Sequence, residues 1–145
     1  MNINSGSGAI TWTPTEAQGS NFYTITVTVV DTNPVAINQK QFTITTNFTV
    51  TVNESNSPPV LTVPGPQTID ELTPLAVSAS ATDSDLPANP LAYALVSPPS
   101  GMNINPNSGA ITWTPTEAQG SNFYTITVTA TDTNSAATNQ KQFTV

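Results

Sequence analysis

Nine carboxylates with almost nothing to oppose them make up the reactive inventory of this chain. Asp31, Asp70, Asp83, Asp85, Asp132, Glu16, Glu54, Glu71 and Glu117 stand against two lysines, with no arginine, histidine or cysteine, for a net charge of −7. Carboxylate and carbonyl oxygens are what a hard cation such as calcium takes as ligands, about six to eight at a time. The simpler use of the same groups is structural, since aspartates cap turns through Asx-type hydrogen bonds to the backbone. Catalysis has little to draw on. Without histidine or cysteine there is no ordinary nucleophile–base pair, and a serine triad lacks its base. A carboxylate pair for glycoside hydrolysis needs a cleft, and these acids fall in turns and a linker. No enzyme is expected. Nucleic-acid binding needs cations to displace counterions from phosphates, which this chain cannot supply, and anionic membrane surfaces are disfavoured for the same reason. With no cysteine there is neither disulfide nor thiolate chemistry, which leaves the compartment open.

Other residue patterns carry weaker chemistry. Trp12 and Trp113 each follow an isoleucine by two positions on one strand face. They read first as core tryptophans and second as sugar-stacking platforms. Thr24, Thr26, Thr28 and Thr125, Thr127, Thr129 form threonine faces. An ice-binding surface would need a flat array, whereas strands twist, so a solvated face chosen for β-propensity is the better reading. Asn47-Phe48-Thr49 and Asn53-Glu54-Ser55 match N-glycosylation sequons, making Asn47 and Asn53 candidate modification sites.

The elements that must position these residues are written twice. Residues 1–44 return as residues 102–145, at a fixed offset of 101 residues without a gap. A long self-match at one spacing is the mark of a repeat array, and this spacing suits a β-sandwich of roughly 100 residues. The 145 residues therefore read as the C-terminal half of one sandwich at 1–52, a linker at 53–59 stiffened by Pro58 and Pro59, and a complete sandwich at 60–145. The start at Met1 lacks the basic and apolar segments of a signal peptide. Because Met102 occupies the same place in the second copy, Met1 is expected to be internal to a longer protein. No run of about 18 apolar residues exists to cross a bilayer as a helix.

Period-two alternation predicts strands throughout and no helix. Tyr23, Ile25, Val27 and Val29 alternate with threonines, and residues 9–12 form a short strand closed by Pro14. Asp31-Thr32-Asn33-Pro34 is turn chemistry, and Lys40 to Val52 reads as one long strand with a bulge or kink at Thr45-Thr46-Asn47. In the second half, Val60–Val63, then Leu75 to Ala81 as one alternating strand, then Leu91 to Leu95 precede the repeated segment, with Asp83 to Pro87 as a loop.

Several stretches then resemble a known group. Asp70-Glu71-Leu72-Thr73-Pro74 is similar to the glutamate-x-x-proline entry of cadherin-like domains, and Ala81-Thr82-Asp83-Ser84-Asp85 to their alanine-x-aspartate-x-aspartate loop. Residues 99–104 and 108–115 resemble the dystroglycan-type cadherin-like repeat, also described as an Ig-like domain of bacterial surface proteins. The resemblance implies an all-β, Ig-like or cadherin-like Greek-key β-sandwich in tandem repeats. It also implies an extracellular or cell-surface location and a role in adhesion or scaffolding. In true cadherins calcium sits between successive domains. Carried over by position, one such Ca2+ site would use Glu16, Asn53, Glu54 and Asn56, with Asp83, Asp85 and Asp132 from the following domain, while Glu71 and Glu117 would serve the next junction. Two departures remove charge: the linker has Asn-Glu-Ser-Asn where cadherins carry aspartates, and Pro14-Thr15-Glu16 replaces aspartate-arginine-glutamate.

A half sandwich leaves a sheet edge and an apolar face open. The missing half is expected ahead of Met1. The other resolutions are strands donated by a neighbouring subunit, and a permuted domain in which residues 1–44 pack on 60–101. Each gives an end-to-end assembly. The expected function is a structural repeat module of an extracellular filament or surface stalk, its partners other copies of itself or adjacent repeats. The alternatives are an adhesin module binding glycan or protein, and an accessory domain of a secreted carbohydrate-active enzyme.

Overall fold

Strict alternation of apolar residues with threonine gives each copy of the repeat its long strand, because β-branched side chains suit a pleated surface buried on one side. The computed structural model describes residues 1–31, 43–133 and 136–145. It divides into two units, Met1–Ser55 and Asn56–Val145, the boundary falling inside the polar 53–59 stretch.

In the first unit, β1 (Asn2–Ile3) pairs antiparallel with β2 (Ile10–Thr11), and β3 (Asn21–Val30) with β4 (Thr43–Val52). The expected bulge at Thr45-Thr46-Asn47 does not form. The register runs unbroken from Asn21↔Val52 to Val30↔Thr43, with Thr45, Thr46 and Asn47 opposite Thr28, Val27 and Thr26. Threonines matched across the ladder hold the pleat there, with the Thr28 and Thr45 hydroxyls 3.4 Å apart. The predicted turn at 31–34, after Asp31, and the predicted start of this strand at Lys40 lie outside the described residues.

In the second unit, β5 (Val60–Thr62) pairs with β7 (Ser80–Thr82). A three-stranded sheet orders β6 (Leu75–Ser78), β10 (Ala110–Trp113) and β9 (Asn103–Ile104), and another orders β12 (Thr138–Thr144), β11 (Thr125–Asp132) and β8 (Leu91–Val96). Residues 75–81 are thus not one strand. The chain breaks at Ala79, whose N–H donates to the Gly109 carbonyl at 3.0 Å, and β6 and β7 join different sheets. Alternation of side chains survives such a crossing, so sequence period alone does not reveal it. Leu61, Leu75, Met102, Ile111, Trp113, Ile126, Val128, Ala130 and Phe143 close into one buried core. β6 and β8 pair with β10 and β11 of the same unit.

The repeated segment keeps its local structure in both units. Trp12 meets Tyr23 edge-on with centroids 4.9 Å apart, and Trp113 meets Tyr124 at 5.0 Å. Each tyrosine hydroxyl donates to a carbonyl five residues earlier, Tyr23 to Gln18 at 3.2 Å and Tyr124 to Gln119 at 3.1 Å. A short 3-10 turn at Glu16–Gln18 and Glu117–Gln119 is held by a glutamine accepting from the backbone three residues back, at 2.9 Å in both. What differs is burial. Met102 is 4% exposed and Ala130 is 0%, whereas their counterparts Met1 and Val29 are 51% and 63% exposed. The same residues fold the same way locally, and among the described residues those of the first copy are the more exposed.

Candidate cation site

Three aspartates expected from the sequence to act together do meet, at one end of the second unit. Asp83 and Asp85 lie on the loop after β7, and Asp132 is the last residue of β11. One oxygen from each lies within 4.8 Å of the others. Asp85 and Asp132 are completely buried, and Asp83 is half-buried.

Their hydrogen bonds explain the burial. The Asp85 N–H donates to Asp83 Oδ1 at 2.9 Å, an Asx turn that folds the loop back on itself. Both oxygens of Asp85 accept the Ser57 N–H at 3.0 Å, which fixes the incoming chain to the loop. Asp132 Oδ2 accepts from the Asn89 side chain at 3.2 Å, and its backbone N–H donates to the Ala137 carbonyl at 2.8 Å. Turn capping therefore accounts for Asp83 Oδ1 and for Asp85, but not for the whole cluster. Asp83 Oδ2 is buried and receives no hydrogen bond from the described residues. An unsatisfied buried carboxylate oxygen costs free energy. Carboxylates this close repel by roughly 3–4 kcal/mol per pair at an effective dielectric of 20. Hard oxygen donors, a spare buried oxygen and mutual repulsion are together the chemistry that a calcium ion resolves.

In the first unit Glu16, Asn53 and Glu54 share a cleft of about 180 Å³ with Gly19. Asn56 is exposed and its side chain donates to the Ser57 carbonyl at 3.1 Å. Glu71 and Glu117 line a cleft of about 630 Å³ at the edge of the second core, with Trp113 and Tyr124. The Glu71 carboxylate lies over Gly120 and the Glu54 carboxylate over Gly19, each where a Cβ would stand. Two contributors were missed from the sequence: Asn89, which orients Asp132, and the Ser57 backbone, bound by Asp85. An asparagine in the polar loop after Asp-x-Asp was the available signal for the first, but a backbone donor leaves none.

Trp113 is 3% exposed and donates its indole N–H to the Ser100 carbonyl at 3.1 Å, so it is a core residue and not a sugar platform. Asn47 and Asn53 are both exposed. Phe22 and Phe123, at matching positions of the two copies, are 76% and 95% exposed. Among the described residues no helix is long and apolar enough to cross a membrane.

None of the curated proteins matches the chain by sequence. Among solved structures it is similar to the crystal structure of mouse cadherin-23 EC22-24, at 18% identity and a TM-score of 0.61. The match covers 92% of this chain and 44% of that one, so this chain spans less than half the length of the structure it matches. At that identity the likeness establishes the fold alone, an all-β, Ig-like or cadherin-like architecture. A family model, described as Putative Ig domain, matches residues 1–53 and again residues 58–145. The chain belongs to the Putative Ig domain family, whose model it matches twice.

Proposed function

We propose that this chain is a structural repeat module of an extracellular filament or cell-surface stalk, joined end to end with other repeats and stiffened by calcium. The observation that carries the calcium reading is the convergence of Asp83, Asp85 and Asp132 around a buried, hydrogen-bond-free carboxylate oxygen. These three residues would hold the ion, with Asn89 orienting Asp132. The ion would neutralise the cluster and hold the β7–β8 loop to the end of β11. Because Asp85 also binds the Ser57 N–H, loading the cluster fixes the chain entering the unit. In the first unit, Glu16, Asn53 and Glu54 line a cleft with Gly19 and would supply further oxygens. A charge inventory of nine acids against two lysines, without histidine or cysteine, supports a structural rather than a catalytic role. The test is thermal unfolding in millimolar calcium against chelator. A rise in melting temperature with calcium, absent with magnesium at the same ionic strength, is the expected result, and no rise removes the calcium reading.

A binding role has one observation in its favour. An exposed phenylalanine recurs at the same position in both copies, Phe22 and Phe123, as a surface that contacts a glycan or another protein would require. Loss of ligand capture by Phe123→Ala on a glycan or protein array, with unchanged melting temperature, would favour the adhesin reading.

A further inference from the structure

Phe22 and Phe123 hold one position of the repeat, and both rings stand in solvent, 76% and 95% exposed. Phe123 belongs to the unit with the closed core and Phe22 to the more open one, so the exposure does not depend on how far a core is covered. The chain on either side of each ring is pinned. Ser20 and Ser121 hold φ of 55° and 57°, a left-handed conformation that costs a residue with a Cβ and that collects where function requires it. The next side chain ties back across that serine: Asn21 Nδ2 donates to the Gly19 carbonyl at 2.7 Å, and Asn122 Nδ2 to the Gly120 carbonyl at 2.9 Å. Past the ring, the hydroxyls of Tyr23 and Tyr124 are bonded to the carbonyls of Gln18 and Gln119. Both neighbours of the exposed ring are therefore fastened to the 3-10 turn, in both copies.

The surroundings of the ring define what it suits. Residues two apart share a strand face, so Phe22 stands in line with Thr24 and Thr26 of β3, opposite Thr51, Thr49 and Asn47 of β4. All six are exposed, none is charged, and the ring is the only apolar side chain among them. In the second unit Ile126 and Val128 point into the core, which turns Thr125 and Thr127 outward, opposite Thr144 and Gln142. A flat ring beside a row of hydroxyls and amides matches an uncharged glycan, whose C–H face stacks on an aromatic while its hydroxyls exchange hydrogen bonds with the polar row. A protein partner fits less well, since a stable interface buries about 800 Å² per side around an apolar centre, and one ring among threonines offers none. Anionic glycans are repelled by the net charge of −7. We propose that Phe22 and Phe123, each with its adjoining threonine row, are stacking platforms for a neutral polysaccharide. This rests on the binding role named above and commits it to one ligand class; the calcium cluster plays no part in it.

The test is affinity electrophoresis of the full chain, made without glycosylation, through gels holding hydroxyethylcellulose, β-1,3-glucan, arabinoxylan or mannan, with polygalacturonate as the anionic control. Calorimetric titration follows with the polymer that retards it. The expected result is retardation by at least one neutral polymer and none by polygalacturonate. Phe123→Ala should weaken the association about threefold or more, and Phe22→Ala together with Phe123→Ala about tenfold or more, with melting temperatures unchanged because both rings are exposed. Phe123→Trp keeps a flat face and retains binding, whereas Phe123→Leu keeps apolar area without one and behaves as the alanine variant. Val60→Ala, at an exposed apolar residue of β5, leaves binding unchanged. Free mobility of the chain in every neutral gel overturns the inference, as do retardation that survives the double substitution, equal retardation by polygalacturonate, or a Phe123→Leu variant that binds as the parent does. Capture of a protein through Phe123 on a protein array, with no neutral polymer bound, overturns the glycan assignment and leaves the binding role standing. Calcium and chelator leave these outcomes alike, so failure here is separable from failure of the calcium reading.

Discussion

Ile25 and Ile126 are the same residue of the repeat, and truncating each to alanine measures what burial contributes. Ile126 is 1% exposed in the closed core between β11 and its covering strands. Removing its branched chain loses transfer free energy and leaves a cavity that rigid neighbours fill only partly, a cost of about 2–5 kcal/mol, centrally about 3. For a domain of this size 1 kcal/mol moves the melting temperature by roughly 4–8 °C, so Ile126→Ala should lower it by roughly 12–24 °C. Ile25 is only half-buried and faces an open groove. Its truncation leaves no closed cavity and forfeits part of a transfer term, about 1 kcal/mol or less. Calorimetry and urea unfolding of the full chain measure both variants, and Ile25→Ala should lower the melting temperature by no more than about 4–8 °C. Equal losses from the two substitutions would refute the reasoning, because they would mean that the first copy is as well covered as the second.

Three more outcomes follow from the same geometry. Gly109 has φ +70° and a Cβ there would strike the Ala79 carbonyl, whereas Gly8 has φ +72° and open space around it. Gly109→Ala should therefore cost more than 2 kcal/mol by urea unfolding, and Gly8→Ala only the left-handed backbone penalty of about 1 kcal/mol. Asp83→Asn keeps an acceptor for the Asp85 N–H while removing a charge. Its stability in chelator should lie within about 0.5 kcal/mol of the parent, while the calcium-dependent rise in melting temperature falls by at least half; an undiminished rise places the ion elsewhere. Asp85→Ala strands the Ser57 N–H as well as removing a ligand, so it should lose about 1–3 kcal/mol even in chelator.

Much of the fold was legible because its signals are local. Alternation in β3 and β11 and the repeat itself specify strands and their faces, and Trp12 with Tyr23 reproduces the contact of Trp113 with Tyr124 although the two copies differ in burial. The break at Ala79 was not legible, because a strand that changes sheets keeps its period while its backbone partner changes to Gly109. The bulge expected at Thr45-Thr46-Asn47 failed because a cross-strand ladder of threonines outweighs the turn preference of a single asparagine. For the site, the grouping of Asp83, Asp85 and Asp132 came through resemblance, since residues 47 positions apart carry no local signal of meeting. That the Asp85 carboxylate would hold a backbone N–H in the linker, and that Asp83 would keep one buried oxygen unbonded, depends on loop geometry that only the folded chain supplies.

The most direct test of the account is the melting temperature of the intact chain in 5 mM calcium against EDTA. For a dissociation constant of about 0.1–1 mM, as in extracellular modules, mass action adds roughly 1–2.3 kcal/mol, a rise of about 4–18 °C. A calcium-specific rise in that range, reduced in Asp83→Asn, is the predicted result. Identical melting curves in calcium and chelator would contradict it and leave the three aspartates as turn caps alone.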